Sequence, residues 1–155
     1  MRFLLITILA ALIPTMAFAN DHTTPGAGYG TAVTVGSKKM EGTSGVLMHQ
    51  TTNDVWIWEK PLKGFPKATS ATCDQFFAFA SGQQQPIGGT FTCQSVDGDG
   101  DGLISTGVFQ PDGTALITQI AGTGKWAKHV GSQFIGKTDI QADTSTSVYS
   151  WTPKK

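Results

Sequence analysis

Leu103-Ile104-Ser105-Thr106-Gly107-Val108-Phe109, then Gln110-Pro111-Asp112-Gly113, then Thr114-Ala115-Leu116-Ile117-Thr118-Gln119-Ile120 is the stretch that decides the fold. Two runs rich in β-branched and apolar residues flank a three-residue turn signal. Proline presets φ, aspartate bonds to nearby backbone, and glycine accepts the conformation that other residues resist. The pattern predicts a hairpin, and two strands joined so tightly run antiparallel.

The same grammar repeats outward. Upstream, Thr90 to Val96 reads as a strand entered through Gly88-Gly89, and the polar loop Ser81 to Gly89 separates it from Thr72 to Ala80. In that last segment Phe76, Phe77 and Phe79 suit either a buried strand or a helical turn. Val46 to Gln50 and Asp54 to Trp58 flank Thr51-Thr52-Asn53, which predicts a second hairpin. Pro61, Gly64 and Pro66 mark an irregular loop. Downstream, Ser132 to Ile135 and Ser145 to Trp151 read as closing strands. The expected fold is all-β: a small antiparallel closed barrel of about eight strands, since closure removes exposed edges. Charged residues make up only 14% of the chain and glycine numbers 19, which fits short strands and many turns better than long helices.

The first nineteen residues carry the parts of a secretory signal. Arg2 is followed by the apolar run Phe3 to Ile13, by Pro14, and by Ala17-Phe18-Ala19, predicting cleavage before Asn20. The run is shorter than the ~20 residues that a membrane-spanning helix needs. Residues 1–19 are thus expected to be removed, 20–42 to form a loose leader with an edge strand near Thr31 to Val35, and 43–155 to form the barrel. The expected destination is the periplasm or the extracellular space, with no transmembrane segment in the mature chain.

Formal charge is balanced over the whole chain, and Arg2 is the one charge in 1–19, so the mature chain carries a net −1. That balance argues against nucleic acid, whose binding needs several Lys or Arg contacts to phosphate. Lys38-Lys39 and Lys154-Lys155 read as solvated basic pairs at chain ends.

Cys73 and Cys93 are the only cysteines, and an even count in an exported chain points to a disulfide. Asp97-Gly98-Asp99-Gly100-Asp101-Gly102 places carboxylates at alternate positions, a pattern that can gather oxygens around a hard cation such as calcium. It matches the first half of an EF-hand loop but has Val108 where the bidentate glutamate belongs. Two readings stay open: a tight turn in which aspartates bond to backbone N–H groups, and a cation site at Asp97, Asp99 and Asp101 whose charges otherwise repel.

Trp56 and Trp58 share one strand face, either as core and pocket lining or as an outward aromatic stripe. His49 lies on a strand and could face the barrel interior; His22 sits in the leader, and His129 beside a glycine motif. Asp54 and Glu59 fall on opposite strand faces, and no G-x-S-x-G or comparable nucleophile signal occurs. Gly122-Thr123-Gly124-Lys125-Trp126-Ala127 lacks the P-loop spacing, with no helix expected after it and Trp126 expected to pack against the barrel end.

Taken together, Cys73, Gly89-Thr90-Phe91-Thr92-Cys93, the Asp-Gly run and Gly122 to Ala127 resemble small exported bacterial proteins of largely unassigned activity. Those proteins carry a Cys…G-x-C…D-x-D-G-D pattern and a G-T-G-K-[YF]-A-G motif that recurs in allene oxide cyclase and dirigent-like barrels. The resemblance spans roughly residues 43–151, departs at Lys128-His129, and implies a barrel of about eight strands. No cyclase or dirigent active-site residue can be matched. Three functions follow as expectations: a non-enzymatic binding module, holding a small apolar molecule or presenting loops to a protein partner with Trp56, Trp58 and His49 at its site; a cyclase- or isomerase-like enzyme using His49; and a calcium-stiffened structural or adhesive surface protein.

Overall fold

A computed structural model describes residues 26–155; the expected signal segment, the expected cleavage position and His22 lie outside them. Eight antiparallel strands, each paired with its sequence neighbours, close into a barrel. They are β1 (Gly28–Gly42), β2 (Gly45–Trp58), β3 (Ala68–Ala80), β4 (Gly88–Val96), β5 (Gly102–Phe109), β6 (Thr114–Gly122), β7 (Gln133–Gln141) and β8 (Thr146–Pro153). Closure is made by β1 against β8, from Gly28 opposite Trp151 to Val33 opposite Thr146. The expected hairpin is β5–β6, and its turn is tied by the Asp112 carboxylate, which accepts from the Thr114 backbone N–H at 2.9 Å and hydroxyl at 2.7 Å.

Three local expectations are corrected. Thr51-Thr52-Asn53 is not a turn: β2 runs unbroken through it, with Thr52 fully buried and Asn53 paired to Val33 on one side and Thr72 on the other. Threonine is a good strand former, and the hairpin turn falls instead between Gly42 and Gly45. The stretch read as a loose leader is largely β1, a wall strand, and Lys38-Lys39 lies within it rather than at a chain end. A 3-10 helix, Gly124–His129, starts inside the glycine motif and runs past it, where none was expected.

Alternation of side chains sorts the interior into three levels. At one end Trp56, Trp58, Trp126, Trp151 and Phe134 form the buried core, with ring centroids 5.1 Å apart for Trp58–Trp151 and 5.7 Å for Trp58–Trp126. A middle belt is polar, with Thr52, Asp54, Ser105 and Gln119 buried around the Cys73–Cys93 bridge. At the other end Phe77 and Phe91 pack tilted against Phe109, with ring centroids 4.7 and 5.2 Å away. Trp126 packs where the sequence placed it, at a barrel end, and is 1% exposed. No helix among the described residues is long and apolar enough to cross a membrane.

Candidate functional site

The disulfide joins residues directly opposite each other on β3 and β4, a pairing that in-register neighbours make possible. The bridge is compatible with an oxidising compartment.

The Asp-Gly run connects β4 to β5, and its three carboxylates converge on one cation, the ammonium of Lys125. Its Nζ lies 2.8 Å from Asp97, 2.9 Å from Asp99 and 2.9 Å from Asp101. The repulsion that motivated a metal reading is thereby compensated from within the chain. Among the described residues no group of three or more His, Cys, Asp or Glu side chains has the arrangement of a metal site. Asp97 is the hub. Its Oδ1 accepts from the backbone N–H groups of Asp99 and Asp101, and its Oδ2 accepts from Lys125 and from the Trp126 indole at 3.0 Å. Burial opposes ionisation of Asp97, but the Lys125, Trp126 and backbone donors outweigh it and hold its pKa down at about 2. Asp97, then Asp99 and Asp101, hold Lys125 well above the ordinary lysine value. Gly124, at φ 49°, lets the Lys125 backbone N–H approach Asp101 at 3.2 Å; a Cβ there would collide with that carboxylate. The loop is a clamp between the β4–β5 turn and the 3-10 helix, and all three of its aspartates bond inside the protein, as the turn reading expects.

The second cluster lies inside the barrel. Asp54, 5% exposed, accepts a 2.5 Å hydrogen bond at Oδ2 from the Tyr149 hydroxyl. Cys73 Sγ, which has no proton in the disulfide, sits 3.7 Å from the same oxygen. Burial pushes the Asp54 carboxyl up from its ordinary value, and nearby Thr52, Tyr149 and Trp56 offset this only in part. Burial and then the Asp54 charge push the Tyr149 phenol well above its usual range. Gly30 makes room for the phenol: a Cβ would sit 2.8 Å from the Tyr149 ring. Because the folded state raises the Asp54 pKa, its ionisation weakens the fold progressively as pH climbs from 3.8 towards the raised value. Asp54→Asn removes that penalty and keeps an acceptor for Tyr149. Urea melts should therefore find the variant at least as stable as the parent at pH 7, with its advantage vanishing below pH ~4; a lower midpoint at pH 7 would refute the assignment.

The third feature is a hollow of about 340 Å³ on the outer face of β1–β4, lined by Lys38, Met40, Leu47, His49, Phe76 and Thr90 among others. Met40, Leu47 and Phe76 are more than half exposed. The His49 ring stacks on Phe76 at 4.6 Å and 9°, and its Nε2 lies 3.0 Å from Asp74 Oδ1. The Thr51 hydroxyl and then His49 pull Asp74 below its ordinary value.

Of the sequence candidates, Trp56 and Trp58 face inward as core, whereas His49 faces outward on the same strand. The three do not form one site, because an odd separation on an uninterrupted strand puts His49 on the other face. The expectation that His49 could face the interior is corrected. His129 is fully buried, with its ring 4.9 Å from Phe65. Asp54–Tyr149, separated by 95 residues, and the Lys125 counter-charge were missed as partners; only the unbalanced charge of the aspartate run hinted at the latter. No family model matches this chain, and no curated protein or solved structure was found to be similar to it.

Proposed function

We propose that the chain is an exported, non-enzymatic binding module that takes a small apolar molecule into the hollow on the outer face of β1–β4. The observation that carries this reading is the hollow itself: about 340 Å³, within the ~300–1,000 Å³ range of small-molecule sites, with Met40, Leu47 and Phe76 held out of the core. Exposed apolar side chains singly need no explanation, but gathered around one concavity they favour a ligand. The stacked His49–Phe76 pair offers a flat wall for a ring or an alkyl chain. Export is supported by the signal-like residues 1–19 together with the bridge. The likeness to allene oxide cyclase and dirigent-like barrels brings no active-site residue with it. A cyclase-like reading would have to rest on Asp54 and Tyr149, since His49 lies outside the barrel, and burial of Asp54 disfavours access by substrate.

The test is a fluorescence titration of the mature protein with 8-anilinonaphthalene-1-sulfonate. Saturable binding is expected, and Phe76→Ala should weaken it about tenfold, the value of burying one aromatic side chain's worth of apolar area. Binding unchanged in that variant would place the probe elsewhere and defeat the proposal.

A further inference from the structure

A closed barrel leaves no strand edge, yet this one keeps a length of open edge. Pairing of β1 with β8 stops at Val33 opposite Thr146, and one further bond joins the Thr34 backbone N–H to the Ser145 carbonyl at 2.7 Å. Pairing of β1 with β2 continues to Gly42 opposite Gly45. Past the bulge at Val35, Gly36 to Gly42 therefore pairs on one side only, and every one of these residues is exposed. Extended backbone with an unpaired row of N–H and C=O groups is a template for another strand.

We infer that this edge pairs with the same edge of a second copy of the chain, antiparallel and centred on Met40. The register follows from sterics and charge. Two-fold symmetric pairing sets one residue opposite itself and its neighbours opposite one another. Centring on Ser37 or any earlier residue drives the second copy's hairpin tip into β8. Centring on Lys38 or on Lys39 sets two lysines opposite each other, and like charges directly opposite are destabilising. Centring on Met40 sets Lys39 opposite Glu41 of the second copy, twice by symmetry, with Met40 against Met40. Lys39 and Glu41 share one face of β1, and Met40 lies on the other, beside Leu47 at the rim of the hollow. The pairing would also bring the two Met40 side chains, each 58% exposed, against each other beside the hollow. The inference does not depend on what the hollow binds.

Sedimentation velocity of the ligand-free mature chain, from about 5 to about 500 μM, tests it. The parent should dimerise within that range. Lys39→Glu and Glu41→Lys should each weaken the dimer about tenfold or more, because each sets like charges opposite twice. The double variant Lys39→Glu/Glu41→Lys restores opposite pairs and should dimerise like the parent. Both side chains are exposed, so circular dichroism should show all variants folded. A parent that stays monomeric, single variants that dimerise unchanged, or a double variant that stays as weak as the singles would each overturn the inference.

Discussion

Asp97→Ala should lower the stability of the chain lacking residues 1–19 by about 3 kcal/mol and its melting temperature by about 10 °C. One side chain satisfies four donors: two backbone N–H groups of its own loop, the Lys125 ammonium and the buried Trp126 indole. Truncation strands the indole N–H in a site that is 1% exposed, and an unsatisfied buried donor carries its whole desolvation cost. It also releases the 3-10 helix that carries Trp126 against Trp58 and Phe65. Asp97→Asn keeps an acceptor without the charge and should fall between the two. The acid limb follows from the same geometry. The folded pKa is depressed from 3.8 to about 2, so the stabilisation is fully present above 3.8 and is lost as pH falls through about 2. The parent should lose stability across that window, and Asp97→Asn should lack this component. A melting temperature for Asp97→Ala within about 2 °C of the parent would show that the clamp holds little.

The Cys73→Ala/Cys93→Ala variant should lose a comparable amount, about 3 kcal/mol on the chain-entropy estimate for a loop closed at a sequence separation of 20. Alanine rather than serine is the informative replacement. The two sulfurs lie in residues 1% and 3% exposed, and a hydroxyl there would add an unsatisfied polar group. The loss should come chiefly from the unfolded state, which gains freedom between β3 and β4, while the register between those strands is kept by their backbone ladder. Equilibrium urea melts of oxidised parent and variant measure it. Indistinguishable midpoints would mean that the bridge constrains nothing the ladder does not already fix.

The architecture was legible where local chemistry alone decides: the Pro111-Asp112-Gly113 turn, the strand alternation around Cys93, and a cysteine pair able to face across two neighbouring strands. It was misread where a locally plausible turn was overridden by pairing on both sides. Thr51-Thr52-Asn53 has turn-like composition, yet Thr52 is a core position and Asn53 lies between two strands, facts that only long-range register supplies. The aspartate run showed the same limit. Its charge signalled that a cation was needed, but the cation is a side chain 24 to 28 positions away, and only the β5–β6 register, with Leu103 opposite Gly122 and Gly102 bonded to Thr123, brings Lys125 over the loop. His49 could be placed on a strand but not on a face, because the face depends on which residue of β2 meets the core. The outer hollow left no periodic trace, since Met40, Leu47 and Phe76 come from three strands and become neighbours only through register.

The most direct test of the binding site is to map where a small apolar probe lands, by NMR of the chain lacking residues 1–19 titrated with 8-anilinonaphthalene-1-sulfonate. Saturating shifts at the Met40 and Leu47 methyl groups and the Phe76 and His49 rings, with the indole N–H signals of Trp56, Trp58 and Trp151 unmoved, are the expected result. Shifts confined to those indoles, or spread without saturation over the whole surface, would contradict an outer-face site.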